Sequence, residues 1–125
     1  MRFCRPSETV TVRSASDRFF TGRLTIVDVR SDAEFARVRV PGATHIPLGQ
    51  LLLRLPQLRS DRPIAFLCRS GHRSALAARG AAKRRPDVAS IDGGMDAWIA
   101  ADLPTARWRA PHPIGATHDL WPDHP

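Results

Sequence analysis

An α/β domain built on a mainly parallel sheet is what this sequence predicts, and three observations carry that expectation. Runs of branched apolar residues at 24–29, 63–67 and 88–91 alternate with segments suited to helices. Those runs are apolar almost throughout, the pattern of strands covered on both faces. The chain has 125 residues, 42% hydrophobic and 25% charged, which suits one ordinary core and is too short for two.

The elements follow in order. Glu8-Thr9-Val10-Thr11-Val12-Arg13 alternates with a period of two and reads as a short strand. Residues 14–22 are polar, end on Gly22 and read as a connection. Residues 24–29 form the first buried strand. Ser31, with Glu34 three positions on, makes a capping box for a short helix through about Arg37. Pro41-Gly42 turns the chain, 44–46 is a brief strand, and 47–55 is a leucine-rich helix stopped before Pro56. Residues 63–67 form another buried strand. After a loop at 68–72, the segment 73–84 is rich in Ala and Leu and forms a helix. It ends before Pro86, because the residue preceding proline avoids helical geometry. Residues 88–91 are a strand, Asp92-Gly93-Gly94 a turn, and 95–101 a last helix closed by Leu103-Pro104.

The expected organisation is an N-terminal extension at 1–8, one domain at 9–104 and a tail at 105–125. The tail holds three histidines (His112, His118, His124) and reads as an extended arm whose Trp108 and Trp121 pack on the domain.

Composition narrows the function. No apolar run approaches the roughly 20 residues of a membrane span, and the N-terminus lacks the apolar stretch of a secretory signal. A cytoplasmic protein with no membrane partner is expected. Cys4 and Cys68 make a poor disulfide framework, and the five histidines show no zinc spacing, so neither metal nor cofactor is expected. Cys4 as a resolving partner to Cys68 is a minor alternative.

The net charge is +7, and its placement says more than its size. Between Asp61 and Asp87 there is no acid, while Arg62, Arg69, Arg73, Arg79, Lys83, Arg84 and Arg85 supply seven positive charges. Such a field draws small anions or an acidic partner surface. Nucleic acid is not the expected partner, since only eight residues are aromatic and no basic–aromatic alternation exists.

The candidate chemistry converges on Cys68-Arg69-Ser70-Gly71-His72-Arg73. A buried strand ends at Leu67, and ligands of open α/β sheets bind beyond the carboxyl ends of strands. Backbone N–H groups of a tight loop before a helix form an anion cradle aided by the helix dipole. Gly71 permits the close turn, and Arg69 and Arg73 add charge. A thiol in that field loses its proton more easily, and the thiolate is a strong nucleophile. It would attack the outer sulfur of an anionic donor and hold the sulfur as a persulfide until an acceptor collects it. The plain alternative, an inert buried cysteine at a strand end, leaves the glycine and both arginines unexplained.

This loop, extended to Ser74, resembles the active-site loop of the rhodanese family. Three further stretches resemble the family's signatures in order and spacing. They are Ile26-Val27-Asp28-Val29-Arg30 with Glu34-Phe35, Pro41-Gly42-Ala43-Thr44-His45-Ile46-Pro47-Leu48, and Gly93-Gly94-Met95-Asp96-Ala97-Trp98 with Leu103-Pro104. The resemblance covers about 9–104 and implies a three-layer domain with a sheet of about five strands between helices. It also implies a sulfurtransferase using thiosulfate or a persulfide, with Cys68 catalytic and Arg69, Ser70, Gly71, His72 and Arg73 binding the donor. The acceptor would be cyanide, a thiol or a protein. The chain departs from the family at Val38-Arg39-Val40, where Gly-His-Ile is usual, and at Asp102, where glycine is usual.

Asp28, Arg30 and Glu34 are expected to support the site as an ion-pair set bracing the turn after the first buried strand. His72 is expected to point outward, His45 to pack between elements, and Trp98 with Met95 to lie in the core. Two rivals remain. A phosphatase or arsenate reductase on the same fold commonly places five residues between cysteine and arginine, and here Arg69-Ser70-Gly71-His72 are four. A sulfur-carrier module docking on a protein partner through Lys83-Arg84-Arg85 is the other.

Overall fold

A computed structural model describes residues 8–107. Cys4 and the tail tryptophans, with the arm expected there, lie outside the described residues. The strands are β1 (Thr9–Val10), β2 (Thr25–Asp28), β3 (Thr44–His45), β4 (Ile64–Leu67) and β5 (Val88–Ile91). They form one sheet in the order β1-β5-β4-β2-β3, and every ladder is parallel. The helices are α1 (Val12–Phe20), α2 (Asp32–Arg37), α3 (Leu51–Arg54), α4 (His72–Ala81) and α5 (Gly94–Ala100).

Side chains alternate across the sheet, as strand geometry requires. Ile26, Ala65, Leu67 and Ile91 face one side, where they pack with Ala15 of α1 and Met95 and Trp98 of α5. Val27, Ile64, Phe66 and Val88 face the other, against Leu51 of α3 and Ala77, Ala78 and Ala81 of α4. Both layers are fully closed at Trp98 and Phe66, each of which stabilises the fold by about 1.5–3 kcal/mol or more. The small alanines of α4 let that helix lie close on β4 and β5. This closeness brings its first turn onto the end of β4.

Four details differ from the sequence expectation. Residues 14–22 are not a polar connection but most of α1. Only Thr9 and Val10 pair in the sheet, and Thr11 then caps the helix by accepting from the Ser14 N–H at 3.1 Å. The signal was the 3–4 spacing of Val12, Ala15 and Phe19, which all meet the core. The expected helix at 47–55 is a chain of short turns: a 3-10 turn at Leu48–Gln50, then α3, then a second 3-10 turn at Leu55–Gln57. Gly49 and Pro56 within it disfavour one continuous α-helix. α4 stops at Ala81, short of 84, and the chain turns so that Arg85 reaches Asp87 at 2.7 Å. Beyond 104 the chain stays attached, since Arg39 and Ala106 form an antiparallel bridge. Among the described residues no helix is long and apolar enough to cross a membrane.

Candidate active site

Cys68 is the first residue beyond β4 and points to the same face as Phe66, beneath the start of α4. It is 1% exposed. Gly71 stands at φ +110°, the left-handed region that favours glycine, and there caps α4. This bend aims two backbone donors at one sulfur: the Gly71 N–H at 3.1 Å and the Ser74 N–H at 3.3 Å from Cys68 Sγ. Burial, the largest influence, pushes the thiol up. The Ser74 hydroxyl and the N–H groups of Ser74, Gly71 and Ser70 together outweigh it, so the thiol lies below its ordinary value. The position is a helix N-terminus, where the macrodipole adds to the same preference for negative charge.

The other side of the loop is held by α5. The Met95 N–H donates to the Cys68 carbonyl at 2.7 Å, and the Asp96 N–H donates to the Arg69 carbonyl at 3.0 Å. Gly94 allows this approach. A Cβ there would collide with the Cys68 carbonyl oxygen and lie 2.6 Å from that of Arg69. The Gly-Gly pair of the C-terminal signature is therefore part of the loop's foundation.

Sequence reasoning missed one element of the site. Ser90, 3% exposed on β5, lies 2.7 Å from the Ser74 hydroxyl, itself 3.4 Å from Cys68 Sγ. The available signal was a lone polar residue inside the apolar run 88–91, which requires a buried hydrogen-bond partner.

The remaining expected residues divide into rim and support. Arg69, Ser70 and His72 are exposed at the rim, with Arg69 Nε 3.8 Å from Asp96 Oδ2. Arg73 makes a bidentate pair with Glu34, at 2.7 and 2.9 Å. That hydrogen-bonded guanidinium, followed by opposing burial and by the cap at Ser31, holds the Glu34 carboxyl at about 2. Glu34 is thus not part of a triad with Asp28 and Arg30. Those two pair with each other at the buried end of β2, Arg30 Nη2 lying 2.8 Å from Asp28 Oδ2 and 2.7 Å from the Val38 carbonyl. The reason is reach: the capping box directs the Glu34 side chain back over Ser31 and toward the first turn of α4. His45 is half-buried, stacked on Phe35 at 4.3 Å, with Nε2 2.8 Å from the Arg30 carbonyl.

The acid-free segment is less positive in space than in sequence. Glu34 neutralises Arg73, and Asp87 neutralises Arg85, which also donates to the Arg59 and Arg62 carbonyls at 2.8 and 3.1 Å. Arg85 therefore braces the chain, leaving Lys83 and Arg84 as the exposed members of that cluster. A cavity of about 640 Å³ lies at the opposite end of the sheet, among Pro63, Pro86, Arg62 and Arg84, and includes no residue of the Cys68 loop. Among the described residues no group of three or more His, Cys, Asp or Glu side chains is arranged to hold a metal ion.

A strand-end cysteine, a glycine-bent loop and a helix N-terminus are now in place, and comparison with known proteins decides the family. The model of the rhodanese-like domain matches residues 11–101. The chain belongs to the rhodanese-like domain family. It is 35% identical over 81 residues to the Bacillus subtilis protein named "Putative sulfurtransferase YtwF", covering 65% of this chain and 79% of that one. It is also 35% identical over 101 residues to the HTH-type transcriptional regulator Rv0324 of Mycobacterium tuberculosis. That match covers 79% of this chain and 45% of the regulator, so the chain spans less than half of that relative's length. The crystal structure of a thiosulfate sulfurtransferase from Pseudomonas aeruginosa superimposes with a TM-score of 0.73 at 26% identity, covering 85% of this chain and 20% of that one. The rhodanese fold, with its parallel sheet between two helical layers, is the architecture seen here.

Proposed function

We propose that this rhodanese-like protein is a sulfurtransferase that carries sulfane sulfur as a persulfide on Cys68. The donor is a small anion, thiosulfate or a persulfide, and the acceptor is cyanide, a thiol or a protein. The observation that carries the reading is the setting of one atom. Cys68 Sγ receives the Gly71 and Ser74 N–H groups at 3.1 and 3.3 Å at the head of α4. The kinship with YtwF and the thiosulfate sulfurtransferase supports the same chemistry.

In the proposed reaction, the Cys68 thiolate attacks the outer sulfur of thiosulfate. The new S–S bond forms as the old one breaks, and sulfite departs with the bonding pair. The terminal sulfur is then a persulfide anion, and the backbone donors that favour the thiolate also favour that charge. An acceptor nucleophile attacks the terminal sulfur, and Cys68 leaves as thiolate, ready to repeat. No external oxidant or reductant enters the cycle. Arg69, Ser70 and His72 line the approach, Gly71 shapes the cradle, and Arg73 with Glu34 anchors the first turn of α4. The Asp28–Arg30 pair supports the neighbouring strand end. The interval of four residues between Cys68 and Arg73 favours a single bound sulfur over a whole phosphate. A thiol that cycles through thiolate and persulfide works in a reducing compartment, so the proposed setting is the cytoplasm.

One observation favours a second reading, in which the donor or acceptor is a protein and thiosulfate turnover is incidental. α4 exposes Leu76 and Arg79 one and two turns beyond His72, next to the loop. Turnover with thiosulfate compared with glutathione persulfide and a protein persulfide separates the two. For the central proposal, mass spectrometry after donor treatment should find one added sulfur on Cys68, and Cys68→Ser should be inactive. Sulfur accumulating on Cys4 alone, or undiminished turnover in Cys68→Ser, refutes it.

A further inference from the structure

The Ser74 hydroxyl has one proton and three neighbours: the Gly71 carbonyl at 3.1 Å, Ser90 Oγ at 2.7 Å and Cys68 Sγ at 3.4 Å. While Cys68 is a thiol, its S–H donates to Ser74 Oγ and the Ser74 proton is free to serve Gly71 or Ser90. When Cys68 is a thiolate, Sγ has no proton, and the contact survives only if Ser74 turns its own proton to the sulfur. The Ser74 oxygen then presents lone pairs to Ser90, whose proton is the one in position to meet them.

We propose that Ser90 is a positioning residue for Cys68, acting through Ser74. Its hydroxyl donates to Ser74 Oγ and thereby holds the Ser74 proton on the ionised sulfur. The thiol proton leaves to solvent base, and each hydroxyl proton stays on its own oxygen and only rotates. Consecutive hydrogen bonds in a buried chain strengthen one another, so the second hydroxyl makes the first a better donor.

The placement of Ser90 is rigid. β5 lies between β1 and β4, and Ser90 sits in register with Thr9 on one side and Phe66 on the other. Its N–H donates to the Glu8 carbonyl at 3.2 Å. Ser90 and Ser74 are 3% and 0% exposed, so water does not compete at either hydroxyl. The charged groups around the thiol come from other elements and are already engaged. Arg73 of α4 is paired with Glu34 of α2, Asp28 of β2 with Arg30, and Arg69 of the loop with Asp96 of α5. His72 is exposed at the start of α4, and His45 faces the Arg30 carbonyl and Asp32. None of these touches Ser90, so its removal isolates the hydroxyl chain.

The role rests on Cys68 being the reacting thiol. The test reads the thiolate directly, so its failure is distinguishable from a failure of sulfur transfer. The rate of Cys68 alkylation by iodoacetamide is followed against pH in the full chain, with Cys4→Ser as the background. Ser90→Ala should lower the thiolate fraction at neutral pH about three- to tenfold and move the midpoint up accordingly. Ser90→Thr, which keeps the donor, should restore the original profile. In a Ser74→Ala background, Ser90→Ala should change nothing further. A Ser90→Ala profile that superimposes on the parent overturns the proposal. So does an equal shift in the Ser74→Ala background, since that would mean packing. If Ser90→Ala does not fold, Ser90→Val, which matches threonine in shape and lacks the donor, is compared with Ser90→Thr by the same criteria.

Discussion

Replacing Glu34 with glutamine removes the charge that ties α2 to the first turn of α4 while keeping the side chain's length. Glu34 lies at about 2 in the fold against 4.5 for the free carboxyl. A lowered value means the folded state favours the carboxylate. The contribution is therefore fully present above about pH 4.5 and is lost as pH falls through the folded value near 2. At face value such a depression is worth about 3 kcal/mol. Arg73 is 36% and Glu34 30% exposed, so solvent screens the pair and ~1–2 kcal/mol is the appropriate magnitude. For a domain of this size that corresponds to a fall in melting temperature of about 4–10 °C at pH 7. Urea unfolding of parent and Glu34→Gln at several pH values provides the assay. The gap should be open at pH 7, begin to narrow below about pH 4.5 and be largely closed near pH 2. Other carboxylates titrate in both proteins and cancel. A gap that is absent at pH 7, or that stays constant into acid, would refute the assignment of Glu34 and Arg73 as a coupled pair.

Three further outcomes follow from the geometry. Gly94→Ala should lose at least about 2 kcal/mol of stability, because the added methyl meets the Cys68 and Arg69 carbonyls and the positive φ is strained as well. Sulfur-transfer rate and thermal melting together would check it. Arg69→Ala should raise KM for thiosulfate with stability changed by less than about 0.5 kcal/mol, since the side chain is exposed and its contact with Asp96 is long, at 3.8 Å; steady-state kinetics beside a melting curve decide the matter. Asp28→Asn should destabilise by about 3–5 kcal/mol through the buried Arg30 charge left uncompensated, measurable by chemical unfolding.

How much of this was legible in the sequence depends on where the information lay. The buried strands were plain because branched apolar runs have few other uses, and the capping box at Ser31 and Glu34 is a local pattern that survived folding intact. α1 was obscured because its first residues continue the alternation of β1, and only the later spacing of Ala15 and Phe19 shows the change of period. The 47–57 segment misled for the opposite reason: its leucines suggest a helix, but Gly49 and Pro56 interrupt it. In the site, Cys68 and Gly71 were readable as a motif. The Arg73–Glu34 pair spans 39 positions and the Ser74–Ser90 contact 16, and spacing along a chain does not encode partners brought together by a sheet. Reading Asp28, Arg30 and Glu34 as one ion-pair set followed from their closeness along the chain, and the fold instead gives Glu34 to Arg73.

The bonds from α5 to the Cys68 and Arg69 carbonyls bear on selectivity by charge sign. A loose loop can rotate a peptide unit and offer oxygen where it had offered hydrogen, making it tolerant of both anions and cations. Here two successive peptide oxygens are pinned by Met95 and Asp96. The direction in which these two peptides point is therefore set by α5 before any ligand arrives. Under the proposed function, that fixed orientation would favour an anionic sulfur donor over a cationic one, whatever the charge of the rim arginines.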